Sequence, residues 1–283
     1  MNTQVITPEL RHWIVEQNRA GVAPEKVMAS MRASGWDETV AQRALEQVLA
    51  GVVQEQVPGS RGIPEQTLPE PALSGQPSRI WAGDREVKIL LTARKPRLVV
   101  FGGLLSDEEC EELRAAAAPR LSRSETVAER SDGSEVNAAR TSQGMFFGRS
   151  ENDICARIEA RIAHLLNWPV ENGEGLQVLR YAPGAEYLPH YDYFDPALAS
   201  TEAIIQRGGQ RVATLVMYLN SPTRGGGTVF PDVGLEVAPI KGNAVFFSYA
   251  QPHPSSLSLH GGSPVLEGEK WVATKWLRWR EFD

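Results

Sequence analysis

Apolar residues in the first fifty positions recur every three or four places and then break, three times over. Thr7 is placed to cap a helix that opens on Pro8, where a missing N–H removes no hydrogen bond. Leu10, Trp13 and Ile14 form its apolar face, and Gly21 follows it. Pro24 opens a second helix with Val27, Met28 and Met31 on one side and Gly35 beyond its end. Asp37 caps a third, which carries Val40, Ala44, Leu45 and Val48 and stops before Gly51. Three short helices with one apolar face each must pack together or against a neighbour.

Residues 52–78 hold five prolines and three glycines, which interrupt every period and predict an extended linker. From about Ile80 the pattern changes to short alternating runs. Residues 97–101 are β-prone. Ser106 and Glu109 have capping-box spacing for a helix that ends before Pro119. Ile154, Ile158, Ile162 and Leu165 give a second amphipathic helix, stopped at Trp168–Pro169. Strands are expected at 176–182, 187–193, 211–219, 227–230, 234–238, 243–250, 257–261 and 270–280. Many short strands with Gly/Pro turns point to a sandwich, barrel or jelly roll. The polar segment 122–140 reads as a long functional loop.

Composition narrows the classes. Of 283 residues, 42% are hydrophobic and 23% charged, which is globular rather than disordered. The net charge of −6 opposes nonspecific nucleic-acid binding. No apolar run reaches the roughly 20 residues that span a bilayer, and the N-terminus lacks the apolar core of a signal peptide. The two cysteines, Cys110 and Cys155, form no CxxC motif. These features lead us to expect a cytoplasmic protein with no nucleic-acid or membrane partner.

Candidate chemistry centres on Pro-His-Tyr-Asp-Tyr-Phe (189–194). On a strand, His190 and Asp192 point to one face and can share a metal. His260 follows downstream, with Lys270 ten residues later, and Arg-Gly-Gly-Gly-Thr-Val-Phe-Pro (224–231) lies between the two halves. Together with Arg-Thr-Ser-Gln-Gly-Met-Phe (140–146), residues 173–181 and residues 208–219, these motifs resemble, in order, the prolyl 4-hydroxylase family of iron(II)- and 2-oxoglutarate-dependent dioxygenases. The resemblance runs over residues 80–283 and excludes 1–78. More loosely, the N-terminal helices resemble ubiquitin-associated-like modules that bind protein partners.

The resemblance implies a mainly β fold with flanking helices: a double-stranded β-helix, or jelly roll, beside a three-helix module. The expected layout is 1–51 as the module, 52–78 as the linker and 79–283 as the dioxygenase domain. By position, His190, Asp192 and His260 would hold Fe(II). Lys270 would pair with the distal carboxylate of 2-oxoglutarate, with Tyr181 and Thr214 holding the same co-substrate and Trp276 lining its pocket. Arg140, Ser142, Glu174, Tyr187, Arg211 and Trp276 match positions that hold a proline-rich peptide. Strand parity conflicts with part of this, because Arg211 and Thr214 stand three apart and share a pocket only if the strand begins after Arg211 or a bulge intervenes. The implied reaction consumes O2 and 2-oxoglutarate, hydroxylates a prolyl ring at the 4-position and releases succinate and CO2, with ascorbate as an optional reductant. Another side chain or a small molecule is the alternative substrate, and a non-catalytic jelly-roll binding module is the alternative class.

Other candidates have simpler readings. His12 and His164 read as packing or surface residues and His253 as a loop residue near the pocket mouth. Gly225–Gly227 lack the following lysine and helix of a phosphate loop and read as a turn. Trp271 and Trp279 belong on the strand face opposite Trp276.

Overall fold

The computed structural model describes residues 22–42, 68–123, 141–196 and 198–283, with Trp13, Ile14, Gln17, Ala44, Leu45 and the strand backbones at 126–127 and 134–135. The chain divides into two units, residues 1–66 and 67–283.

In the first unit Pro24 opens helix α1 (Pro24–Ala33), which buries Val27 and Met31. Gly35 follows with φ of 85°, a backbone state that glycine adopts without steric cost. The Asp37 carboxylate accepts from the N–H groups of Thr39 and Val40 at 2.9 and 3.3 Å, as a helix cap does. Ile14, Val27, Met31, Ala41, Ala44 and Leu45 share one buried cluster. The expected cap at Thr7 and the linker up to residue 67 lie outside the described residues.

The second unit is built on β1 (Arg79–Trp81), β2 (Glu86–Ala93), β3 (Arg97–Gly102), β4 (Ser122–Arg123), β5 (Thr126–Val127), β6 (Ser134–Glu135), β7 (Gln143–Phe147), β8 (Leu176–Tyr181) and β9 (Tyr187–His190). It continues through β10 (Arg211–Tyr218), β11 (Arg224–Gly225), β12 (Thr228–Phe230), β13 (Leu235–Val237), β14 (Ala244–Ser248), β15 (His260–Gly262), β16 (Val265–Glu267) and β17 (Lys270–Arg278). Helices α2 (Asp107–Ala117), α3 (Asp153–Leu166) and α4 (Ala199–Gln206) interrupt them.

Nine strands form a large antiparallel sheet in the order β1-β2-β3-β14-β10-β17-β8-β7-β4, and a smaller sheet runs β13-β12-β15-β9. Two cores result. Ile154, Ile158, Ile162 and Leu165 of α3 and Cys110 and Leu113 of α2 pack with Phe101, Phe246, Trp271 and Ala273 on one side of the large sheet. Leu98, Tyr181, Tyr218, Phe247 and Val272 on its other side pack with Phe230 and Val237 of the smaller sheet. This second unit is a two-sheet jelly roll with α2 and α3 on the outer face of its large sheet. Alternation along β17 divides its residues as the pattern requires, Val272 to the inner core and Trp271, Ala273 and Leu277 to the outer one.

Local chemistry fixes the helix ends. Ser106 and Glu109 form a reciprocal capping box on α2. Asn152 caps α3 through the N–H of Cys155 at 2.9 Å, and Asn167 ends it in the left-handed conformation. Buried Arg161 of α3 donates to Glu109 at 2.7 and 2.8 Å and to Asp84 at 2.6 and 2.7 Å, tying α3 to α2 and the β1–β2 turn.

Several expected boundaries shift. The strand expected over 187–193 ends at His190, and the one expected over 257–261 begins at His260. The segment 122–140 carries β4 and a β5–β6 hairpin. Helix α4 and strands β1, β2 and β7 had no clear pattern, because β2 is exposed at five of its eight positions and α4 is only eight residues long. No helix among the described residues is long and apolar enough to cross a membrane.

Candidate active site

The centre of the site comes from strand register. His190 of β9 lies directly opposite His260 of β15, and their ring centroids are 4.4 Å apart. Each Nδ1 contacts a backbone carbonyl two residues upstream, His190 to Leu188 at 2.9 Å and His260 to Ser258 at 3.0 Å. A carbonyl can only accept, so Nδ1 carries a proton and the ring is held with Nε2 turned into the site. Both Nε2 atoms face Asp192, at 3.6 Å to Oδ1 and 3.4 Å to Oδ2. One donor atom from each of the three residues lies within 4.8 Å of the others. Asp192 arrives differently from the alternation argument: β9 has ended, and Asp192 stands in the bend that follows.

Electrostatics sets the protonation states. Burial pushes the Asp192 carboxyl up, but His260 and His190 outweigh that and hold it well below the usual carboxylate range. Burial, then His260, lowers His190. An ionised carboxylate beside two imidazoles that turn Nε2 toward it is the donor set of a divalent transition metal such as iron, whose binding displaces any proton held there.

Lys270 marks a second point. It is 4% exposed, and no carboxylate among the described residues hydrogen-bonds its Nζ. Burial lowers its pKa to about 8, partly opposed by Glu236. Tyr181 is its partner across the β8–β17 ladder, with Nζ 5.5 Å from the ring centre. Glycines leave room for the lysine: a side chain at Gly226 would come within 3.3 Å of its Cδ, and one at Gly262 within 3.6 Å of Nζ. Thr228, opposite Gly262, accepts from the Tyr218 hydroxyl at 2.8 Å. A buried ammonium without a partner fits an incoming carboxylate, which supplies the missing counter-charge. The residues therefore suit both iron(II) and 2-oxoglutarate.

Thr214, which the resemblance places at the co-substrate, is the ladder partner of Trp276, six residues along β17 from Lys270. Its hydroxyl donates to Asp192 Oδ2 at 2.7 Å and lies 3.0 Å from the Tyr249 hydroxyl, so it stands beside the candidate metal ligands.

A third group adjoins the metal-ligand set. Arg211 holds Glu174 in a two-point ion pair, 2.7 Å from Nε to Oε1 and 2.8 Å from Nη2 to Oε2. Its Nη1 donates to the Asp192 carbonyl at 3.4 Å, and its guanidinium lies 4.0 Å over the Trp276 ring. Burial would lower the Arg211 pKa, but Glu174 raises it further. The register shifts between Arg211 and Ala213, and this bulge resolves the parity conflict between Arg211 and Thr214. Tyr187 stacks on His190 at 3.7 Å, Ser142 is buried, and exposed Phe146 lies 6.3 Å from Trp276. Among the described residues, none pairs with the buried Trp276 Nε1. Arg140 lies outside the described residues.

His164 lies on α3, and His253 is exposed with its ring bound to Ser255. Tyr249, Thr228 and Tyr218 did not stand out in the sequence. Val245, Phe247 and Tyr249 alternate toward the inner core, and a tyrosine on that face was the available signal.

Comparison with known proteins agrees with this geometry. Residues 176–278 match the 2OG-Fe(II) oxygenase superfamily. Prolyl 4-hydroxylase 5 of Arabidopsis thaliana is 41% identical over 221 residues, covering 71% of this chain and 74% of the relative. Prolyl 4-hydroxylase 1 of the same plant is 41% identical over 225 residues, covering 70% and 77%. Among solved structures, the 2-oxoglutarate complex of a viral collagen prolyl hydroxylase from Paramecium bursaria Chlorella virus-1 superposes with a TM-score of 0.50 at 32% identity, covering 64% of this chain and 94% of that one. Fold and site thus define an iron(II)- and 2-oxoglutarate-dependent dioxygenase. Within that class, the chain belongs to the prolyl 4-hydroxylase family.

Proposed function

We propose that this protein hydroxylates prolyl residues of a peptide or protein at the 4-position. One atom of O2 enters the prolyl ring and the other enters succinate, formed with CO2 from 2-oxoglutarate. Iron(II) bound by His190, Asp192 and His260 would supply the oxidising chemistry. The observation that carries the reading is the pairing of this triad with Lys270, a buried ammonium whose missing partner a dicarboxylate provides.

The chain's own residues have distinct tasks. The two backbone carbonyls hold the imidazoles with Nε2 forward. Lys270 anchors the far carboxylate and so sets the direction of the co-substrate. Arg211, locked by Glu174 and stacked on Trp276, offers a rigid polar and aromatic wall beside Asp192. A proline ring packs on such aromatic surfaces at low entropic cost because its backbone is already constrained. Ser142, Tyr187 and Arg140 are assigned to the same peptide on the family pattern. We extend the proposal to a cytoplasmic location, to a protein partner for residues 1–51 and to ascorbate as the reductant.

The test is succinate formation from 2-oxoglutarate and iron(II) under air, with and without a Pro-Gly-rich peptide. The expected result is peptide-stimulated succinate with one oxygen atom added to a peptide proline. Turnover with unmodified peptide would move the reading to another acceptor, and no turnover by folded, iron-loaded protein would move it to a binding module.

A further inference from the structure

The expected strand stops before Asp192, so no sheet ladder orients this residue. We propose that Thr214 and Tyr249 form a two-hydroxyl relay that positions the Asp192 carboxylate for metal, an inference that rests on reading the triad as the metal site.

The direction of the relay follows from proton counting. An ionised carboxylate only accepts, so the single Thr214 hydroxyl proton goes to Asp192 Oδ2. Thr214 Oγ1 is then an acceptor toward Tyr249, whose hydroxyl lies 3.0 Å away and must donate. Burial, then the neighbouring Asp192, raises the Tyr249 phenol well above its ordinary value, so it keeps that proton. All three groups are shielded from water, with Thr214 at 0% exposure, Tyr249 at 2% and Asp192 at 6%.

The relay stands on rigid supports. Thr214 sits in the middle of β10, paired with Phe247 on one side and Trp276 on the other. Its branched side chain has few rotamers. The Tyr249 N–H donates to the carbonyl of Val212, inside the β10 bulge, at 3.0 Å. The sheet therefore fixes two hydroxyls, and they fix a carboxylate that its own backbone leaves in a bend. Arg211 holds the carbonyl of the same residue. Side chain and main chain of Asp192 are each tied to β10. With one oxygen held by Thr214, the carboxylate is already turned toward the two histidine Nε2 atoms with which it would hold the metal.

The test uses full-length protein stripped of metal and titrated anaerobically with Mn(II), read by the electron paramagnetic resonance of free Mn(II). Thr214→Val should weaken binding about 10- to 100-fold, the range usual for partners of metal ligands. Thr214→Ser keeps the hydroxyl and should bind within about twofold of wild type. Tyr249→Phe should weaken binding less than Thr214→Val. Because Tyr249 acts through Thr214, the double variant should bind no more weakly than Thr214→Val alone. Co(II) absorption should change in Thr214→Val and not in Thr214→Ser. Wild-type-like affinity in Thr214→Val, or independent losses that multiply in the double variant, would overturn the relay while leaving the metal site intact. Failure of wild-type protein to bind Mn(II) would overturn both. If Thr214→Val does not fold, Tyr249→Phe decides alone, and unchanged affinity there overturns the relay.

Discussion

His190 and His260 face each other across two antiparallel strands, 4.4 Å between ring centroids, so sheet register assembles two of the three candidate ligands. The register is tight. A side chain on Gly261 would come within 2.8 Å of the Tyr187 carbonyl and 3.1 Å of the Pro189 nitrogen, both backbone atoms. Gly261→Ala must therefore push β9 from β15. It is expected to weaken Mn(II) binding by about tenfold or more although Gly261 ligates nothing. A titration showing wild-type affinity would mean that register is not the controlling element.

Lys270 predicts a pH dependence in 2-oxoglutarate binding. Burial brings its pKa from 10.5 to about 8, so the free site loses its positive charge as pH rises through that value. The dicarboxylate prefers the ammonium form. Its dissociation constant on Mn(II)-loaded enzyme should rise roughly tenfold between pH 7 and 9. Lys270→Arg stays charged over this range and should show a flat profile. Calorimetric titration at several pH values checks both.

The Glu174–Arg211 pair is buried, and breaking it strands a charge. Glu174→Met or Arg211→Met should each lower unfolding free energy by about 3–5 kcal/mol. The double replacement should lose less than the sum of the two single ones, but no less than about the Glu174→Met loss, because buried Arg278, whose Nε lies 3.4 Å from Glu174 Oε1, is still left without its carboxylate. Denaturant unfolding of the three variants measures this.

Glu109 predicts part of the acid sensitivity. Burial opposes its charge, but hydrogen bonds from Arg161 and the Ser106 backbone hold it at about 2, against an ordinary 4.5. A carboxylate with a lowered folded-state pKa stabilises fully above 4.5 and loses that stabilisation as pH falls toward 2, a swing of about 3 kcal/mol. Glu109→Gln should be less stable than wild type at pH 7, and the gap should shrink on acidification. A gap constant from pH 7 to pH 2.5 would contradict the assignment.

The legibility of the site depended on the kind of signal. Helices α2 and α3 carry long apolar periods and explicit caps, so their residues announce them. Alternation along β17 separates Val272 from Trp271 and Ala273 because both faces of that strand are covered by different cores. His190 and His260 were legible as motif positions, but the reason they meet is a pairing between strands seventy residues apart, which no local pattern encodes. Asp192 was found through alternation on a strand that in fact ends two residues earlier. Thr214 was legible as a motif position, but its hydrogen bond to Asp192 was not, because position in a motif does not reveal which side chain a residue meets across the fold. Tyr249 gave almost no signal: an inward tyrosine looks like core until the hydroxyl beside it is known.

The most direct test of the central claim follows both oxygen atoms. Iron-loaded protein, 2-oxoglutarate and a Pro-Gly-rich peptide would be incubated under ¹⁸O2, with Asp192→Ala in parallel, and peptide and succinate analysed by mass spectrometry. The account predicts one labelled oxygen on a peptide proline for each labelled succinate, and neither product from Asp192→Ala. Labelled succinate with an unlabelled, unmodified peptide would contradict prolyl hydroxylation, and label in both products from Asp192→Ala would contradict the metal site.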